Sequence, residues 1–175
     1  MSKSEPVPTH IKSLRIRLIG AFPLMMRAAI EPFDDTSLWW QPLPGINPVG
    51  VLALHCAGNL RHYIGHFVGG TDYVRNRPQE FDATRRLSRQ AVLDEFDRAI
   101  EDVRQTMDNL DPVDYAGPSR NRENPQSSLY EDFMVAVTHL ALHTGQAVQL
   151  AKLHGYTVGE KVWGDAHRAA AAANG

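Results

Sequence analysis

Two histidines four residues apart, in the run Thr138-His139-Leu-Ala-Leu-His143-Thr144-Gly145-Gln146, carry the clearest chemical signal in the chain. On an α-helix this spacing sets both imidazoles on one face, about 6 Å apart along the axis, so both can point at one ion. Zinc, nickel or iron accepts two such nitrogens, but two ligands make a weak site and a third has to come from elsewhere. His55 is the candidate, because it sits in the apolar run Val51-Leu-Ala-Leu-His-Cys-Ala57, which belongs in a core. From spacing alone a His-xxx-His pair is more often chance or two surface residues, and the buried third histidine is what strengthens the metal reading.

The remaining chemistry-bearing residues have plainer readings. At about 100° per residue His55, Asn59, His62 and His66 fall in one sector of a helix, yet His62 and His66 stand beside Arg61 and Tyr63 and are expected at a groove or surface. His10, His154 and His167 are expected to face solvent. Cys56 reads as a core residue, turned about 100° from His55 and therefore not a ligand to the same ion. On composition, Arg75-Asn-Arg77-Pro-Gln-Glu80-Phe81 reads as solvated charge. No carboxylate is evident beside the histidines, since the position a His-Glu-x-x-His protease gives to glutamate is Leu140 here, so peptide hydrolysis is disfavoured. No glycine-rich phosphate loop, Gly-x-Ser-x-Gly elbow or Cys-x-x-Cys pair occurs.

The elements that must position these residues read as helices. A first helix is expected from about Ile11 to Ile30, with Pro23 a site for a kink. Residues 31 to 48 hold too many prolines for a helix and carry Trp39-Trp40 as aromatic anchors in a loop. Asn47-Pro48 looks like an N-cap followed by proline at the first helical position, opening a second helix to about Val68 that Gly69-Gly70 ends. Thr71 to Arg86 reads as loop with one short turn. From Ser88, a plausible N-cap, the apolar residues Val92, Leu93, Phe96, Ile100, Val103, Met107 and Leu110 recur at three and four residue steps, the pattern of an amphipathic helix. Asp111-Pro112 closes it, and a long loop runs to Gln126. A fourth helix starts at Ser127 or Ser128 and stops at Gly155. No alternating strand pattern and no long repeat is visible. The reading is an all-α four-helix bundle, in which inward-facing side chains of different helices can build a metal site.

Length and composition agree. The 175 residues fit one domain, residues 1–175, with residues 1–10 a loose N-terminal arm and 164–175 a tail that frays. Lys and Arg total 18 against 20 Asp and Glu, a net charge of -2, which offers no footprint for a nucleic-acid backbone. One cysteine excludes an internal disulfide and suits a cytoplasmic protein. The apolar stretch Leu18 to Ile30 is broken by Pro23 and Arg27 and is too short to span a bilayer, so no membrane association is expected.

Taken together, Trp39-Trp40 with Pro42 and Pro44-Gly45, then Asn47-Pro48 leading into Leu54-His55-Cys-Ala-Gly58-Asn59-Leu60-Arg61, then Arg75-Asn-Arg77 with Glu80-Phe81, then His139-xxx-His143-Thr-Gly-Gln146, resemble the DinB/YfiT-like superfamily over roughly residues 39 to 155. The resemblance implies an up-down-down-up four-helix bundle, often a homodimer, that binds a divalent metal through three histidines, here His55, His139 and His143. It also implies thiol-dependent S-transferase or isomerase chemistry with a low-molecular-weight thiol as cofactor; a hydrolase is the neighbouring reading. Asn59 and Gln146 are the candidate second-layer or substrate-facing groups. The expected partner is a small-molecule substrate. The alternatives are a non-catalytic, stress-associated protein holding a metal or small ligand, and a dimer module without metal that uses Trp39, Trp40 or the first helix as its contact.

Overall fold

The computed structural model describes residues 8–122, 124–159, 164, 165 and 168. Residues 1–7 of the expected arm, His167 and residues 169–175 of the tail lie outside the described residues, and the end of the arm is not loose, because Thr9 and His10 already belong to the first helix. Within them the chain is all-helical, with four long helical stretches and a single isolated β-bridge, Pro118 to Ser128.

The first stretch, α1, covers residues 9–30 as Thr9–Arg15, a wide π-helical turn Ile16–Ala21, and Phe22–Ile30. The expected kink takes this form. Pro23 has no N–H to give to the carbonyl of residue 19, and the i→i+5 turn immediately before it absorbs the mismatch. Leu18, Met26, Ala29 and Ile30 fill the core from this helix.

The second stretch, α2, covers 49–68 as Val49–Leu60 followed by a second π-helical run, Arg61–Val68. Its start corrects the expected cap. Pro48, in extended conformation, is the N-cap itself, and no side chain caps the helix. All twelve residues Val49–Leu60 are buried, including His55 and Asn59, because this helix has neighbours on every side. It packs on α3, Arg89–Asn109, and on α4, Leu129–Leu153. Gly50 lies against the Trp39 ring, where a Cβ would approach ring carbons to 3.0 Å. Trp39 is buried and donates its indole N–H to the Leu87 carbonyl at 3.1 Å. It therefore belongs to this chain's own core.

The helix α3 starts where expected, with the Ser88 hydroxyl accepting from Ala91 N–H at 3.2 Å. The helix α4 begins with a capping box: Glu131 N–H donates to Ser128 Oγ, and Ser128 N–H donates to Glu131 Oε2. It ends at His154 with Gly155 in the left-handed region, at φ 100°. His154 is not solvent-facing as expected. It is half-buried among Phe33, Trp40 and Tyr156, with ring centroids 4.9 to 5.1 Å away. Phe33, Phe96 and Phe133 are the largest fully buried side chains, each contributing about 1.5–3 kcal/mol by burial. Between α2 and α3 the expected single turn is two: Arg77–Glu80 and Ala83–Arg85. No described helix is long and apolar enough to cross a membrane.

A candidate metal centre

The helices α2 and α4 bring His55, His139 and His143 together. One ring nitrogen from each lies within 4.8 Å of the others, and among the described residues these three form the one cluster of metal-ligating side chains of this kind. His55 and His139 meet at Nε2 to Nε2, 2.9 Å apart, across 84 residues of sequence. His139 and His143 lie with centroids 4.4 Å apart, and His55 and His143 5.1 Å apart. Imidazole nitrogens about 2.0–2.1 Å from a tetrahedral ion stand about 3.3 Å from one another. The observed set, with one pair at 2.9 Å and all three within 4.8 Å, lies close to that spacing, so the donors fit a divalent transition metal.

The hydrogen bonds around the rings decide which nitrogens are free. His55 Nδ1 lies 2.8 Å from Glu80 Oε2, and His143 Nδ1 lies 2.6 Å from Gln146 Oε1. An acceptor oxygen beside Nδ1 keeps the hydrogen on that nitrogen and leaves the lone pair on Nε2. With His55 neutral, its Nε2 accepts and His139 Nε2–H donates across the 2.9 Å contact. Burial, with help from His143, His55 and Arg75, pushes His139 down to about 3 and outweighs the opposing pull of Glu80. Burial likewise lowers His143, against the Gln146 hydrogen bond. Both rings are neutral at pH 7, the form that binds metals.

Two readings of the sequence are corrected here. Glu80 is not solvated charge but is buried, 7% exposed, and it is the carboxylate thought to be lacking beside the histidines. Arg75 grips it from Nε to Oε1 at 2.7 Å and from Nη2 to Oε2 at 2.8 Å. Burial alone would raise Glu80, but the hydrogen bonds from His55 and Arg75 and the Arg75 charge hold it below the ordinary carboxylate range. Periodicity could not find this residue, because it ends a four-residue helical turn too short to show a period, and its burial depends on a contact 25 positions away. The available signal was Gly58, a glycine in the interior of a helix, where glycine costs about 1 kcal/mol relative to alanine.

Of the other candidates, Gln146 contacts His143 directly, while Asn59 is 4% exposed with its Oδ1 unpartnered. His139 Nδ1 is a second buried atom without a partner. Cys56 is wholly buried and its thiol is pushed up by burial, as suits a core residue. His62 and His66 stand apart from the centre. The widened π-turn stacks them nearly parallel, at 9° and 6.1 Å, and His66 Nδ1 lies 2.5 Å from the Thr71 carbonyl.

Residues 23–147, more than two thirds of the chain, match the family described as the DinB superfamily. The chain belongs to the DinB superfamily. The match spans His55, Glu80, His139 and His143, so the whole centre lies inside the family domain. No curated protein matches the sequence.

Proposed function

We propose that this DinB-superfamily protein is a metal-dependent enzyme, a thiol-dependent S-transferase or a hydrolase, with His55, His139 and His143 as ligands of one divalent ion. The observation that carries the reading is the donor set. Three imidazoles come from two helices, and no fourth histidine, cysteine or carboxylate joins them among the described residues. Three protein ligands with an open position are the pattern of catalytic rather than structural sites. An ion so held supplies a Lewis acid that lowers the pKa of a bound water or stabilises a thiolate at neutral pH. Zinc or nickel suits the all-nitrogen set, and iron is the third choice.

The chain's own residues supply the rest of the site. Glu80 and Gln146 orient His55 and His143, and Asn59 brings a buried amide to the α2 face one turn beyond His55. A groove of about 640 Å³ opens beside Gln146, lined by Ile46, Leu52, Leu142, Leu150 and Leu153. Its size suits a small-molecule substrate with an apolar body. The proposal includes the family's up-down-down-up helix order, a homodimer and a cytoplasmic setting.

One observation favours the second reading, a metal or small-ligand binding protein without turnover. Glu80, the carboxylate nearest the histidines by hydrogen bonding, is already engaged by His55 and Arg75 and is not available as a general base. Turnover separates the two. Metal-loaded protein is assayed with a panel of low-molecular-weight thiols and an electrophilic haloarene, and separately with activated esters, beside His139→Ala. Metal-dependent conversion lost in the variant supports the enzyme. Stoichiometric metal without conversion in either panel favours the binding protein.

A further inference from the structure

The carboxylate that holds His55 reaches it because of a glycine. Gly58, one turn along α2 from His55, lies under the turn Arg77–Glu80. A Cβ built on it would stand 2.0 Å from Glu80 Oε1 and 2.6 Å from Cδ, closer than packed atoms come. A glycine inside a helix costs about 1 kcal/mol relative to alanine, so helix formation does not explain this one; Ala53 and Ala57 occupy neighbouring buried positions of the same helix. The absent side chain makes room for Glu80, whose Oε1, Cδ and Cγ are the three nearest atoms. Arg75 then takes both oxygens in a two-pronged grip, at 2.7 and 2.8 Å, which fixes the carboxylate plane. Arg75 Nη2 also lies 3.3 Å from His55 Nδ1, but a guanidinium has no acceptor. The His55 Nδ1–H is therefore left to Glu80 Oε2, at 2.8 Å.

We propose that Glu80, clamped by Arg75 and admitted by Gly58, is the positioning residue that fixes His55 with its hydrogen on Nδ1 and aims Nε2 at His139 and His143. This rests on the metal reading above, and it adds that the affinity of the centre is set from the loop between α2 and α3. Carboxylates that orient a ligating histidine are worth 10–100-fold in metal affinity, which sets the scale here. Gly58 is the sharper probe of the two, since alanine there leaves every polar group in place and only takes the space.

The test uses the full chain as wild type, Gly58→Ala, Glu80→Gln and His139→Ala. Zn²⁺ affinity is measured by competition with a chromophoric chelator. The histidine ring nitrogens of the chelated protein are read by long-range ¹H–¹⁵N spectra, which report the tautomer and do not respond to a merely structural change elsewhere. The expected result is a loss of about 10–100-fold in Zn²⁺ affinity for Gly58→Ala and Glu80→Gln. His55 should carry its hydrogen on Nδ1 in the wild type and show mixed tautomers in Gly58→Ala. Zn²⁺ bound as tightly by Gly58→Ala as by wild type, with His55 still held as one tautomer, overturns the proposal. If Glu80→Gln does not fold, Gly58→Ala decides alone. A wild type that takes up no Zn²⁺ contradicts the metal reading, while the tautomer spectra still decide the role of Glu80: a single Nδ1–H form supports it and a mixture refutes it.

Discussion

Removing metal from this protein should lower its melting temperature by several degrees, and the shift should vanish when one imidazole is lost. His139 and His143 are one turn apart on α4, but His55 is on α2, 84 residues from His139, so the three-nitrogen set exists only in the folded chain. An ion that binds the native state alone stabilises it by RT ln(1 + [L]/Kd), about 2.7 kcal/mol at a hundredfold excess over Kd. Unfolding entropy near 60 °C is about 2.1 cal/mol/K per residue, so a chain of 175 residues has about 0.37 kcal/mol/K. The quotient is a shift of about 7 °C. Differential scanning calorimetry on chelated protein, then with Zn²⁺ or Ni²⁺ added, reads it directly, with His55→Ala and His139→Ala as controls. The reasoning is refuted if neither ion moves the wild-type transition by more than about 1 °C, or if the variants keep the full shift.

Two further outcomes follow from buried polar atoms. Thr144 is wholly buried and its hydroxyl has no partner, so Thr144→Val, equal in shape and also β-branched, should stabilise the chain by about 1–3 kcal/mol; a lower melting temperature would show that the hydroxyl is satisfied. Because the native value of His139 is pushed from 6.5 to about 3, the folded chelated protein binds fewer protons there than the unfolded chain does between those values. The stability this residue contributes is thus complete above pH 6.5 and is lost as pH falls toward 3. His139→Leu should flatten that part of the acid limb in urea titrations of the chelated protein, and an unchanged slope would contradict the assignment.

How much of this was legible in the sequence depended on the kind of interaction. The two serine caps at Ser88 and Ser128 and the heptad-like spacing of α3 are local signals, and the helices began where those residues stood. His139 and His143 were legible because helical spacing alone puts them on one face, and His55 because an imidazole inside an unbroken apolar run is out of place unless it has partners. Glu80 was missed because its burial comes from a salt bridge and a glycine, neither of which leaves a period in the sequence. The π-helical runs at 16–21 and 61–68 were missed for a related reason. Apolar spacing of three and four residues does not distinguish i→i+4 from i→i+5 over a few residues, and only Pro23 hinted at the first. His154 looked exposed as a residue at a helix end, but the chain after Gly155 folds back and places Tyr156 on it at 4.9 Å.

The central claim is that three histidines from two helices hold one divalent ion. Its most direct test is metal content by inductively coupled plasma mass spectrometry on tag-free protein, chelated, reloaded and desalted, alongside His55→Ala, His139→Ala and His143→Ala. One zinc or nickel ion per chain in the wild type, and far less in each variant, is the predicted result. Wild type that retains no metal after reloading, or variants that retain as much as wild type, would contradict it.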